Sequence, residues 1–170
     1  MESITLISKD RQRFKISEKA CVLSRYLNNY IIDFPLETTI YFSNISGKTL
    51  NKIVEYLEHY KNKEPKKGVR FYLSQEFKDI INPWDYNFIN IDIEIVCEIA
   101  KASEFLGIKT LKELSNAKID SMMKDGTPEE NKKLYQKLEN VKVDKPKKNH
   151  VVQFFKKILF TFINILNSLY

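Results

Sequence analysis

Glycine is scarce, with four in 170 residues. None is gathered into the Gly-rich loop that cradles a phosphate, so no nucleotide-binding fingerprint is present. Histidine is scarcer still. His59 and His150 lie far apart, and neither has a Cys or carboxylate partner at metal-ligand spacing. The two cysteines, Cys21 and Cys97, each fall inside an apolar helical pattern. That reads as isolated core thiols in a reducing compartment and not as a disulfide framework. No serine occupies a nucleophile-elbow context. The first residues, MESITLISKDR, carry charge early and lack a long apolar run, so they do not read as a signal peptide. The N-I-S at 44–46 is then an accidental glycosylation match. These absences point away from catalysis, metals and cofactors, and toward binding.

What is present suits one globular domain with an appendage. Hydrophobic residues make up 43% of the chain and charged residues 29%, enough for a core and too apolar for a disordered chain. The net charge of +6 is concentrated in two stretches, HYKNKEPKKGVR and VKVDKPKKNH. Charge spread over solvated loops is not a structured basic face, so nucleic acid is not expected as a partner.

The pattern along the chain alternates. SITLIS and RFKIS read as a hairpin. Ser17 then stands as N-cap of one helix, EKACVLSRYLNNY, with Cys21, Val22, Leu23, Tyr26, Leu27 and Tyr30 at helical spacing. TTIYFSNI is a third strand, and the helix SGKTLNKIVEYLEHYKN follows with Leu50, Ile53, Val54 and Leu57 on one face. From about 62 to 82 the periodicity dissolves around Pro65 and Gly68. The only tryptophan follows in NPWDYNFINID. Asp92 caps the next helix and Gly107 closes it. KTLKELSNAKIDSMMK is another helix. GTPEENKKLYQKL is a third, with Thr127 as N-cap, Pro128 at N1 and Glu130 completing a capping box.

Three motifs in this order resemble the S-phase kinase-associated adaptor family, whose members join F-box proteins to a cullin in modular ubiquitin ligases. They are Trp84, Asp85, Phe88, Ile89, Ile91 and Asp92; then Ala102, Phe105, Leu106, Ile108, Lys109 and Leu111; then Thr127, Pro128, Glu129 and Glu130. The resemblance runs over roughly residues 2–138. Elongin C shares the first part of it but lacks the T-P-E-E helix. The resemblance implies an α+β chain. A BTB/POZ domain over 2–106, a small three-stranded sheet with helices, would carry a loop at 62–82. F-box-binding helices over 107–138 would follow, then a basic linker at 139–150 and a tail at 151–170. It also implies a non-enzymatic adaptor with no cofactor, in cytoplasm and nucleus, with a cullin and F-box proteins as partners. Trp84 and Phe88 become anchors where the chain re-enters the core.

By the same resemblance, Glu104 and Phe105 face the cullin. Leu114, Asn116, Ile119, Met123, Pro128, Asn131 and Tyr135 face the F-box. Asn116 and Asn131 stand where the family carries Cys and Ile, so two amides would be buried against a partner unless that partner supplies hydrogen bonds. The tail departs furthest. VVQFFKKILFTFINILNSLY has thirteen apolar residues, with polar ones every three or four positions. That spacing is an amphipathic helix with a wide apolar face. The thirteen-residue run after Lys157 is short of an uninterrupted span, which takes about 18 or more apolar residues. Three fates stay open for it: docking on protein, lying on a membrane surface, or anchoring in one. The expected docking site is the chain's own helices around Ile119 and Met123. A POZ-derived structural or membrane-associated protein without ligase duty is the alternative reading of the whole chain.

Overall fold

The computed structural model describes residues 3–71 and 76–141. Strand β1 (Ser3–Ile7) and strand β2 (Arg13–Ser17) form the expected hairpin, with Ser3 opposite Ser17 and Ile7 opposite Arg13. Ile4, Leu6 and Ile16 point into the core. Strand β3 (Thr39–Tyr41) lies parallel to β1 on its other side, so the sheet order is β2-β1-β3. A parallel neighbour needs a crossover, and the helical segment between β2 and β3 supplies it.

That segment is not the single helix expected. It breaks into α1 (Glu18–Cys21) and α2 (Arg25–Asp33). Ser17 makes no side-chain cap, while Ser24 caps α2 by accepting from the Leu27 N–H. Ser24 Oγ also donates to the Leu106 carbonyl at 2.8 Å. One buried hydroxyl thus starts α2 and satisfies a carbonyl at the end of a distant helix. Val22, inside the expected apolar face, falls at the break and is exposed.

Helix α3 (Gly47–Tyr60) begins at the Ser46 cap and buries Leu50, Ile53, Tyr56 and Leu57. The stretch read as loop carries a short helix, α4 (Phe77–Ile80), which packs on a later one. The tryptophan lies in a helix of its own, α5 (Pro83–Ile89), started by Asn82, whose side chain accepts from the Asp85 N–H at 2.9 Å, with Pro83 in the first turn. Trp84 stacks on His59 at 3.5 Å between ring centroids, and its other stacked neighbour is Phe88 at 5.0 Å. Asp85 is buried and accepts from the Tyr60 hydroxyl at 2.8 Å and from Asn82 Nδ2 at 2.7 Å. Burial holds the Asp85 carboxyl above the usual carboxylate range. The motif is an anchor: Trp84 packs edge-on against Tyr60 at 5.6 Å, and the Tyr60 hydroxyl belongs to a satisfied polar cluster.

Asp92 caps α6 (Ile93–Leu106), and Gly107 closes it at φ 69°. The Ile108 N–H returns to the Ser103 carbonyl at 2.9 Å, as a left-handed C-terminal turn requires. A Cβ at 107 would also sit 2.8 Å from Arg25 Cβ. Helices α7 (Lys109–Asp125) and α8 (Pro128–Asn140) complete the described chain, and the Thr127–Glu130 capping box is present. This is a small three-stranded sheet with helices, POZ-like, followed by further helices. Cys21 and Cys97 are buried free thiols. Among the described residues, no helix is long and apolar enough to cross a membrane. The expectations for residues 142–170 lie outside the described residues.

Candidate functional site

The first expected face is at the end of α6. Phe105 is half-buried. Its ring lies 5.1 Å from Tyr26 and meets Phe42 edge-on at 6.5 Å, centroid to centroid. Tyr26 in turn neighbours Tyr30, and Tyr30 neighbours Phe34 at 5.0 Å. The result is a file of aromatic rings along α2, held against α6 by the Ser24–Leu106 bond. Edge-on and tilted rings at these spacings are favourable beyond simple area burial. Glu104 beside it is exposed, and Lys112 Nζ donates to it at 2.7 Å. That hydrogen bond outweighs the opposing effect of burial and lowers the Glu104 carboxyl below its ordinary range. Glu104 therefore already has a cation on its own chain.

Next to this file lies a surface that sequence reasoning missed. Ile32, Leu36 and Tyr41 are 69%, 94% and 63% exposed. A signal was available. Residues 26–46 contain no Lys or Arg and two carboxylates, Asp33 and Glu37, in a chain of net charge +6.

The second expected face is on α7 and α8, and the structure divides its residues. Asn116, Pro128 and Tyr135 are exposed, and Met123 and Asn131 are half-buried. Met122, not singled out from the sequence, is exposed with them. Leu114 and Ile119 are 2% and 3% exposed and pack in the chain's own core. The reason is that α7 is enclosed on two sides, by α6 on one and by α4 and α5 on the other. Among the described residues, only a narrow strip of α7 is left exposed. The basic stretch contributes to this enclosure. The Gly68 N–H donates to Glu113 at 2.8 Å, Lys66 donates to the Ile80 carbonyl, and the Lys118 and Lys124 ammonium groups sit over the Phe77 and Phe71 rings. Pro65 and Val69 are buried. The stretch is tied to α7 through Gly68, while its charged side chains stay exposed as expected of a solvated loop. Burial lowers the pKa of Lys118 and raises that of Asp120 on this helix.

Asn131 is also accounted for internally. Its Nδ2 donates to the Met123 carbonyl at 3.0 Å, one of the last-turn carbonyls of α7 that the helix itself leaves unpaired. Its Oδ1 occupies the space beside Gly126, where a Cβ would come within 2.6 Å of it. Asn131 thus clips α8 to the end of α7. Asn131→Ile removes that bond and is expected to cost about 0.5–1.5 kcal/mol, the net worth of an ordinary hydrogen bond. Urea unfolding measures it, and unchanged stability would mean the clip contributes nothing.

These faces can be compared with known proteins. Residues 2–62 match the Skp1 family, tetramerisation domain. The S-phase kinase-associated protein 1 homolog of Tetrahymena thermophila is 30% identical over 133 residues, covering 78% of this chain and 80% of that protein. Suppressor of kinetochore protein 1 of Schizosaccharomyces pombe is 29% identical over 141 residues, 79% of this chain and 85% of the relative. The E3 ubiquitin ligase complex SCF subunit sconC of Arthroderma benhamiae is 29% identical over 133 residues, 78% and 81% of the two chains. The similarity therefore runs well beyond the N-terminal domain.

Proposed function

Because the chain belongs to the Skp1 family, we propose that it is the adaptor subunit of an SCF-type cullin-RING ubiquitin ligase, bridging a cullin scaffold to F-box substrate receptors. The observation that carries this is the 30% identity over 78% of the chain, which takes in more than the POZ part alone. A relative of similar identity and coverage is itself named as an SCF subunit. The chain performs no catalysis of its own in this reading. It works in cytoplasm and nucleus, and residues 2–106 and 107–138 divide the labour.

Phe105, with Glu104 at its rim, faces the cullin. Asn116, Met123, Pro128, Asn131 and Tyr135 face the F-box, with Leu114 and Ile119 supporting that surface from below. Helix α7 is the spacer between the two faces. From Lys109 near Phe105 to Met123 it rises roughly 20 Å at about 1.5 Å per residue. Its enclosure by α6, α4 and α5 keeps that spacing rigid, which suits a subunit whose task is to hold two partners at a fixed separation. The test is reconstitution with a purified cullin N-terminal region and an F-box protein. Expected is a ternary complex at size exclusion. Failure to bind either protein, with the chain folded, would overturn the adaptor reading.

A further inference from the structure

The core lies on one side of the sheet. Ile4, Leu6, Ile16 and Ile40 belong to it, together with Leu50, Ile53 and Leu57 of α3. Side chains alternate along a strand, so the intervening residues occupy the opposite face. The pairing register sets them in two rows across the three strands. Arg13, Ile7 and Tyr41 form one row, and Lys15, Thr5 and Thr39 the next. Arg13 and Lys15 are exposed, Thr5 and Thr39 are half-buried, and Tyr41 is 63% exposed. Ile7, between Arg13 and Tyr41, is buried but stands outside the main core cluster. Each row is about 10 Å wide, two strand spacings, and the rows lie about 7 Å apart, two residues along a strand.

This outer face is cationic. Residues 3–17 carry Lys9, Arg11, Arg13 and Lys15 against a single carboxylate, Asp10. Asp10 is committed to other donors: the Gly47 N–H at 2.7 Å and Gln12 Nε2 at 2.8 Å. Among the described residues, none of the four cations is paired with a carboxylate. Glu37, just before β3, accepts from the Tyr30 hydroxyl at 3.3 Å. The two basic stretches read from the sequence lie elsewhere in the chain, and here the cations stand on paired strands. Arg beside an exposed Tyr is the composition of a recognition surface.

Spacing selects the partner. Arg13 and Lys15 are two residues apart on one strand. Alternate side chains of an extended peptide recur at the same interval of about 7 Å, so carboxylates at every second position of such a peptide meet both cations. Opposite charge favours this partner over others, and Tyr41 adds an apolar flank with a hydroxyl. A nucleic-acid strand fits less well, because it stacks successive bases on several rings and Tyr41 is the one ring in these rows. A bilayer fits less well, because surface binding needs an apolar face to insert as well as charge.

We propose that the outer sheet face binds an extended acidic segment of a partner protein, with alternate carboxylates on Arg13 and Lys15 and Tyr41 at the flank. The face uses neither Phe105 nor α7 and α8, so the proposal stands apart from the adaptor reading.

Fluorescence anisotropy with the full chain tests it, at low ionic strength where exposed charges are least screened. The probe is a heptapeptide of alternating serine and aspartate carrying a neutral dye. Expected is binding that Arg13→Glu with Lys15→Glu weakens by about tenfold, the scale of two exposed ion pairs lost and reversed. The neutral pair Arg13→Gln with Lys15→Gln is expected to weaken it by about threefold, and serves if the reversed pair does not fold. Lys132→Glu with Lys133→Glu makes the same change of net charge on exposed positions of α8 and is expected to change affinity by less than about twofold. The urea midpoint confirms that each variant is folded. Absence of binding, unchanged affinity in the folded sheet variants, or equal weakening by the α8 pair would each overturn the proposal. Tighter binding of an oligouridine of equal charge, or of phosphatidylserine vesicles, would overturn it in favour of nucleic acid or membrane.

Discussion

Ile119→Ala is expected to lower the free energy of unfolding by about 2–5 kcal/mol, the range for a buried aliphatic side chain truncated to alanine. Leu114→Ala belongs in the same range. Both side chains are almost wholly buried, and α7 is held on two sides, so the cavity has little freedom to collapse. Tyr135→Ala is the contrast. That ring is 58% exposed, so its loss is expected to change stability by no more than about 0.5 kcal/mol while weakening F-box binding. The two classes separate in urea unfolding, where a buried truncation shifts the midpoint with little change of slope. If Ile119→Ala left the midpoint in place and weakened F-box binding alone, Ile119 would be a direct contact after all.

The burial of Ile119 also marks where sequence reading stops. Local features were legible because each is set by a few neighbouring residues. The Thr127–Glu130 box, the Asp92 cap and the Gly107 turn all stand where the residue types require them. What depends on distant neighbours was not. The α1–α2 break follows from Ser24, whose hydroxyl is committed to a carbonyl 82 residues away. Apolar periodicity runs straight through that serine. On α7, a one-sided apolar stripe reads as one buried face and one binding face. The packing of α4 and α5 turns part of the second into core. In the sequence Asn131 is a polar gap in an apolar surface, because its bond to the Met123 carbonyl depends on the angle of a turn. The resemblance places Glu104 toward the cullin, and Lys112, one helix later in the chain, already pairs with it. The apolar and acidic surface at Ile32, Leu36 and Tyr41 leaves a trace in the sequence, the gap in basic residues, but no motif points to it.

Phe105→Ala is expected to weaken cullin binding by about 1–3 kcal/mol, on the order of ten- to a hundredfold, as loss of an aromatic anchor does. The ring is suited to that role because it is already half-ordered. Tyr26 and Phe42 pack against it, and the Gly107 turn closes the helix that presents it. Little conformational entropy remains to be lost on binding, so more of the contact energy is available to the complex. The same packing means the substitution also costs the free protein something. Two aromatic contacts at about 0.5–1.5 kcal/mol each put an upper bound on that cost beyond area burial. Unfolding and cullin affinity must therefore be measured on the same preparation, with Phe105→Leu retaining apolar bulk but not ring geometry. Glu104→Ala is expected to change stability little, because its pair with Lys112 is solvent-exposed and such pairs contribute about 0–1 kcal/mol. A folded Phe105→Ala protein that kept its cullin affinity would take this ring out of the interface, and the exposed side chains of the α2–β3 face would become the next residues to truncate.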